Sequence, residues 1–140
     1  MKPGTLIASL AVLVILSGCA AAPRHGRPPQ QYGVCNEHVC HITISVDDAC
    51  HITANPETLE VKETGVELHW DIVSRGYVFD GSGITIEHDD RGEFANGHIA
   101  EQGSKYVLND KNSFTRPYKY DVHVKSGDKV CSLDPWIFNN

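Results

Sequence analysis

Apolar and polar residues alternate without interruption along residues 118–124 (YKYDVHV). A period of two places the tyrosines and valines on one face of a β-strand and Lys119, Asp121 and His123 on the other. Aromatic and β-branched side chains suit the half-buried surface of a pleated sheet. The segment therefore predicts a strand with one face in a hydrophobic core.

Similar signals recur along the chain and are separated by Gly, Pro, Asn or Asp residues that favour turns. They return about every 8–12 residues, and no window has helical periodicity, which is typical of a sandwich or barrel. We predict an all-β sandwich of about seven or eight strands, with residues 32–40 irregular and residues 88–97 turn-rich. The predicted strands are 42–46 with an extended continuation at 50–53, 59–61, 66–72, 77–79, 84–86, 106–108, 118–124 and 130–138.

The first 18 residues follow a different pattern. Lys2 precedes an apolar run at 6–16 (LIASLAVLVIL), which has the length of a signal-peptide core and is too short to span a bilayer. The run ends in Leu16-Ser17-Gly18-Cys19, which resembles the lipobox of bacterial lipoproteins, where the cysteine becomes acylated and N-terminal. An ordinary secretory cleavage near residue 18 or 22 is the alternative.

The lipobox resemblance implies a location. In such lipoproteins an Asp directly after the acylated cysteine is the usual inner-membrane retention signal, and this chain has Ala20 there. The resemblance thus implies anchoring in the outer membrane through acyl chains on Cys19, with the domain facing the periplasm. Residues 19–39, which include the proline-rich stretch AAAPRHGRPPQQ, are predicted to tether a domain at 40–140.

Five cysteines become four once Cys19 is acylated. An even number in an oxidising compartment, here Cys35, Cys40, Cys50 and Cys131, indicates two disulfides. Three pairings are compatible with the sequence, which leaves the connectivity open. We favour Cys35 with Cys40 as a tight local loop, and Cys50 with Cys131, which joins an early strand to the last.

Charge narrows the choice of partners. Removal of residues 1–18 leaves 122 residues, enough for one domain with a core. The whole chain has a net charge of −6, which becomes about −7 once Lys2 is lost with the leader. This acidity argues against nucleic acid and against an anionic lipid surface as partners. It is compatible with a basic protein partner or with solubility alone.

A longer pattern resembles cupredoxin-like domains. Pro56-x-x-Leu59-x-Val61, a turn with Gly65, and Val66-x-Leu68-x-Trp70 resemble the first half of such domains. Tyr118-x-Tyr120-x-Val122 resembles the strand before their copper loop. Asp134-Pro135-Trp136-Ile137-Phe138-Asn139 is similar to the last motif of cupredoxin-like lipoproteins of unknown function. The resemblance covers residues 50–139 and implies a cupredoxin-like or immunoglobulin-like β-sandwich.

The copper chemistry of that family is not expected here. A type 1 copper centre needs a thiolate, two imidazoles and usually a weak axial ligand such as methionine. The thiolate position holds Val122, the stretch expected to carry the first histidine reads SRGY (74–77), and Met1 is the only methionine. We therefore predict neither a copper centre nor any other cofactor.

Histidines near the cysteines offer an alternative metal site. His38 and His41 lie beside Cys40, and His51 follows Cys50, so the three imidazoles are the candidate ligands of a copper- or zinc-handling protein.

No catalytic residues can be nominated, since the chain has no nucleophile elbow, no HExxH motif and no phosphate-binding glycine loop. An enzyme is not predicted.

The predicted function is that of a non-enzymatic outer-membrane lipoprotein that presents a binding or structural β-sandwich to a periplasmic protein partner. A periplasmic metal-handling protein is one alternative. An inhibitor or immunity lipoprotein against an envelope-targeting enzyme is another, and the size, anchor and acidity fit it. Trp136 and Phe138 share a face if extended, where they either pack the base of the sandwich or form an exposed aromatic edge.

Overall fold

The computed structural model describes residues 32–140, so the leader, Cys19 and residues 20–31 lie outside the described residues. The described part contains eleven strands and one short 3-10 turn, Glu101–Gly103. No helix within it is long and apolar enough to cross a membrane. Strands β1 to β11 are Tyr32–Cys35, Val39–Val46, Ile52–Asn55, Thr58–Val61, Val66–Ile72, Val78–Ile86, Phe94–Ala100, Lys105–Asp110, Arg116–Ser126, Lys129–Leu133 and Trp136–Asn139.

The strands form two mixed sheets. The first has the order β1-β4-β11-β9-β10, and β6 pairs with the opposite edge of β9. The second has the order β3-β2-β5-β8-β7. Pairing is parallel between β1 and β4, β4 and β11, and β2 and β5, and antiparallel elsewhere in the described sheets. The predicted all-β sandwich is confirmed, with eleven strands instead of seven or eight.

The additional strands have identifiable causes. Residues 32–35, predicted to be tether, pair with β4 as strand β1, so the folded part includes residues before the predicted start at 40. Strand β7 falls largely in the predicted turn region because a bulge between Ala95 and His98 interrupts its alternation. The predicted closing strand is divided at Asp134-Pro135 into β10 and β11. Conversely, the strands predicted at 77–79 and 84–86 are joined in one strand, β6, which begins at Val78 and has an irregularity between Phe79 and Ile84.

The core lies between the inner faces of the two sheets. Trp70 is fully buried there, and the rings of Tyr106 and Tyr120 pack edge-on against it with centroid distances of 6.2 and 5.5 Å. The predicted inner face of β9 is confirmed, because Tyr118, Tyr120, Val122 and Val124 are all buried. Burial of each such side chain stabilises the fold by roughly 1.5–3 kcal/mol.

Both disulfides connect the sheets. Cys35 in β1 is bonded to Cys40 in β2, with 5.8 Å between their Cα atoms. Cys50, in the turn between β2 and β3, is bonded to Cys131 in β10, with a Cα distance of 5.5 Å. The structure therefore has the pairing that we favoured among the three. The first bond fixes the short strand β1, at the edge of its sheet, to the neighbouring sheet.

Candidate binding site around strand β1

A groove opens where the two sheets separate beside β1. It has a volume of about 370 Å³ and runs between β1 on one side and β2 with the start of β4 on the other. The Cys35–Cys40 disulfide and the side chains of Pro56 and Leu59 contribute to its wall. We call this feature the β1 groove. Its volume is near the lower end of the range for ligand sites, so it suits one or two side chains of a partner.

Strand β1 is held in place by several contacts besides the disulfide. The backbone N–H of Lys62 donates to the carbonyl of Cys35 at 3.0 Å. A Cβ atom at Gly33 would lie 2.5 Å from Cγ of Pro56, so glycine is needed for β1 to approach this ring. The hydroxyl of Tyr32 donates to the carboxylate of Glu60 on β4. The groove therefore has a fixed wall.

The mouth of the β1 groove combines apolar and polar side chains. Tyr32, Val34 and Val39 contribute to its lining and are exposed by 59%, 49% and 39%. Glu37 and His41 are the ionisable side chains of the lining. Contiguous exposed apolar side chains of this kind mark interaction surfaces more often than isolated ones do.

A second apolar surface begins at the same strand. In the pairing of β1, β4 and β11, Tyr32 lies opposite Thr58, which lies opposite Trp136. Val34 lies in the next outward-facing row with Glu60 and Phe138. Residues of paired rows share one face of a sheet. We call Tyr32, Val34, Trp136 and Phe138 the outer aromatic face; all four are exposed, which agrees with the aromatic-edge alternative.

Charges beside the outer aromatic face are paired. Glu60 forms an ion pair with Lys62 at 2.5 Å. Hydrogen bonds from Lys62, Tyr32 and Asn140 lower the pKa of Glu60 to about 2. The hydrogen bond between Tyr32 and Glu60 also raises the pKa of Tyr32, because its hydroxyl donates to a carboxylate. Glu60 is therefore a carboxylate with its partners in place at any physiological pH.

The candidate metal ligands are not brought together. His41 is the third residue of β2, whereas His51 follows the far end of that strand, about 17 Å away at the usual rise per residue. His41 contacts Asp71 at 3.1 Å and His51 contacts Asp47 at 3.0 Å. Within residues 32–140 there is no group of three His, Cys, Asp or Glu residues that could hold a metal ion. The geometry therefore does not place His41 and His51 in one metal site, and metal binding by His38, His41 or His51 stays a prediction.

One histidine pair was not found from the sequence. His41 and His69 lie opposite each other in the parallel pairing of β2 and β5, with ring centroids 5.0 Å apart. His69 is hydrogen-bonded to Glu67, as His41 is to Asp71. Both histidines alternate with apolar residues, which predicts an outward direction for each. The sequence gives no signal for the pairing that makes them neighbours.

The residues at which the resemblance to cupredoxins would place copper ligands contribute to the fold. Val122 is fully buried in β9, between the two sheets. In the stretch 74–77, the hydroxyl of Ser74 accepts a 2.8 Å hydrogen bond from the backbone N–H of Val46. Both residues therefore stabilise the sandwich itself.

A scan against models of known protein families finds no match, and a search of curated proteins finds none either. The class of protein is therefore defined by its fold and surface. It is an all-β sandwich with two disulfides between its sheets and with two exposed apolar surfaces that meet at strand β1.

Proposed function

We propose that this chain is a non-enzymatic lipoprotein of the bacterial envelope that presents its β-sandwich to the periplasm and binds a protein partner through the β1 groove. The observation that carries the proposal is the exposure of Tyr32, Val34 and Val39 around the mouth of a groove with a fixed wall. An apolar side chain of a partner would bury these groups on binding. Such anchoring contacts dominate the affinity of many protein interfaces.

The groove offers a protein partner both apolar contacts and hydrogen-bonding groups. Its lining combines exposed apolar side chains, a disulfide, a proline and a leucine with polar groups. The polar groups are Asn36, Glu37, His41 and Asn55. A net charge of −6 in the whole chain favours a partner with a basic surface around the anchoring residue.

The envelope location is supported by the N-terminal sequence. The Leu16-Ser17-Gly18-Cys19 motif follows an apolar run of signal-peptide length, and the twelve residues 20–31 separate Cys19 from Tyr32 at the start of β1. Acyl chains add about 0.8 kcal/mol per buried CH₂, so several chains on one cysteine give a stable anchor. The β1 groove is thus built from the first strand after the tether.

The test compares two valine variants of the full-length protein, each expressed in a bacterium that processes lipoproteins. Val39→Glu places a carboxylate in the mouth of the groove. Val130→Glu is the matched control, because Val130 is also exposed in a strand (56%) but lies in β10 and outside the groove. Each protein is reversibly cross-linked in intact cells, extracted from membranes and purified with its bound proteins.

We expect one protein to copurify with the wild type and with Val130→Glu, and its recovery with Val39→Glu to fall about tenfold or more, since burial of an unpaired carboxylate is costly. Equal recovery with both variants would reject the groove as the binding site.

Intact mass of the extracted protein tests the anchor: Cys19 must carry acyl chains, and an unmodified N-terminus would reject the lipoprotein assignment.

A further inference from the structure

We propose that the outer aromatic face is a membrane-docking surface, which rests on the zwitterionic headgroup region of the bilayer that holds the anchor. This inference rests on the proposed function, because it requires the acylated Cys19. It concerns Trp136 and Phe138, which lie outside the β1 groove, together with Tyr32 and Val34, which also line the mouth of that groove.

The four side chains form one strip across three strands. Trp136 and Phe138 project from the same face of β11, and their ring centroids are 6.4 Å apart. Tyr32 and Val34 occupy the same two rows on β1, with Thr58 and Glu60 of β4 between them. Tryptophan and tyrosine combine an apolar ring with a polar group, which suits the boundary between headgroups and acyl chains.

The charges near the strip fit a zwitterionic surface better than an anionic one. Glu60 is paired with Lys62. Lys119 lies opposite Trp136 and contacts Asp134 at 2.7 Å and Glu87 at 3.4 Å. Lysines that are already paired in this way attract anionic lipid weakly, and the net charge of −6 opposes such lipid.

The point at which the tether joins the domain favours the membrane as the occupant of this face. Tyr32 is both the first described residue and a member of the strip, so the tether enters the domain at this face. The thirteen Cα-to-Cα steps from Cys19 to Tyr32 can span at most about 45 Å. The anchor therefore confines the face close to the bilayer, and this effective concentration allows even a weak contact to be populated.

The size of the strip argues against a second protein copy as the occupant. It is three strands wide, which is about 10 Å between the outer strands, and two rows tall. A stable protein interface buries about 800 Å² on each partner. A patch of four side chains is far smaller, whereas an anchored membrane contact needs no such area.

Tryptophan fluorescence can test the contact in the acylated protein itself. The chain has two tryptophans: Trp70 is fully buried, and Trp136 is exposed on the face. The membrane-extracted protein is reconstituted into phosphatidylcholine vesicles with or without bromine on the acyl chains near the headgroups. A Trp136→Phe variant gives the emission of Trp70 alone, which serves as the background.

We expect brominated lipid to quench the Trp136 emission at least about twofold, and anionic phosphatidylglycerol in the vesicles to weaken the quenching. Phe138→Asp should abolish the quenching, whereas Phe114→Asp, at an exposed aromatic residue off the face, should leave it unchanged. Emission of Trp136 that is unaffected by brominated lipid would overturn the proposal. Protection of Trp136 from both bromine and acrylamide, together with cross-linked dimers, would overturn it in favour of self-association.

The failure of this inference is distinguishable from failure of the proposed function. A protein without acyl chains, detected by intact mass, rejects both. An acylated protein whose Trp136 does not contact lipid rejects docking only, and the comparison of Val39→Glu with Val130→Glu then still decides the role of the β1 groove.

Discussion

The side-chain amide of Asn139 donates a 2.9 Å hydrogen bond to Oδ1 of Asp110 and thereby joins the two sheets at one end of the sandwich. Asp110 ends β8 in one sheet and Asn139 ends β11 in the other, and both are buried. The backbone N–H of Asn112 donates to the same oxygen at 2.9 Å. The amide of Asn112 also donates to the carbonyls of Val61 and Glu63, which extends the network to β4.

This network predicts a specific dependence of stability on pH. Burial raises the pKa of Asp110 from 3.8 to about 6, and the negative charges of Glu93 and Asp89 add to this effect, whereas the hydrogen bonds from Asn112 and Asn139 oppose it. Because the folded protein binds this proton more tightly than the unfolded chain, the contribution of Asp110 to stability falls as pH rises from about 4 to 6. The loss is of the order of 3 kcal/mol.

Asp110→Asn removes the titration and keeps an oxygen that can accept the bonds from Asn139 and Asn112. We expect the free energy of unfolding of the variant, relative to wild type, to increase between pH 4 and pH 7 by about 3 kcal/mol or less. Urea unfolding at several pH values measures this difference. A difference that is independent of pH, or that decreases with pH, would contradict the assignment to Asp110.

The alternating strands show which parts of the fold can be predicted from sequence. Residues 118–124 bury one whole face, and residues 66–72 bury the same face up to Trp70, so the hydrophobic period is visible in both sequences. Strand β7 could not be predicted in the same way, because its bulge shifts the register and most of its residues are at least partly exposed. Asp110 and Asn139 are of residue types that are common in turns, so the sequence does not predict that they are buried. Their hydrogen bond across the sandwich makes the burial favourable.

The candidate site was less accessible to sequence reasoning than the fold. The even number of cysteines indicated disulfides, but it is the disulfide between β1 and β2 that builds the β1 groove. Trp136 and Phe138 could be placed on one face of a strand. Their alignment with Tyr32 and Val34 depends on the parallel pairing of β1, β4 and β11, which joins segments far apart in the sequence.

Two glycines make room for Tyr106 in the core. A Cβ atom at Gly97 would lie 2.4 Å from the Tyr106 hydroxyl oxygen, and one at Gly83 would lie 2.4 Å from its ring. Because Tyr106 packs against Trp70 at the centre of the core, it cannot move without disturbing other side chains. We expect Gly97→Ala to lower the free energy of unfolding by about 1–3 kcal/mol.

Gly81→Ala is the matched control for this prediction. A Cβ atom at Gly81 has no neighbour within 4 Å, so the change should alter stability by no more than about 0.5 kcal/mol. In a Tyr106→Phe background, which removes the hydroxyl oxygen, the cost of Gly97→Ala should decrease. Urea unfolding of the four proteins in this cycle gives the coupling, and an unchanged cost would show that the hydroxyl is not the obstacle.

The two disulfides should contribute unequally to stability. Cys50 and Cys131 are 81 residues apart in sequence, whereas Cys35 and Cys40 are 5 apart. Loop-closure entropy predicts that replacing Cys50 and Cys131 by alanine lowers the free energy of unfolding by about 4 kcal/mol. Replacing Cys35 and Cys40 should lower it by about 2 kcal/mol. Denaturant unfolding of the two double-alanine variants, each with its remaining disulfide verified by mass, measures both costs.

The same two variants separate stability from binding. Loss of the Cys35–Cys40 bond frees β1 from β2, so recovery of the copurifying protein should fall although the fold is only moderately destabilised. Loss of the Cys50–Cys131 bond should destabilise the fold more and leave the groove wall intact, because neither cysteine lines it. Equal recovery with both variants, measured at a temperature at which each is folded, would contradict a role of the disulfide in shaping the β1 groove.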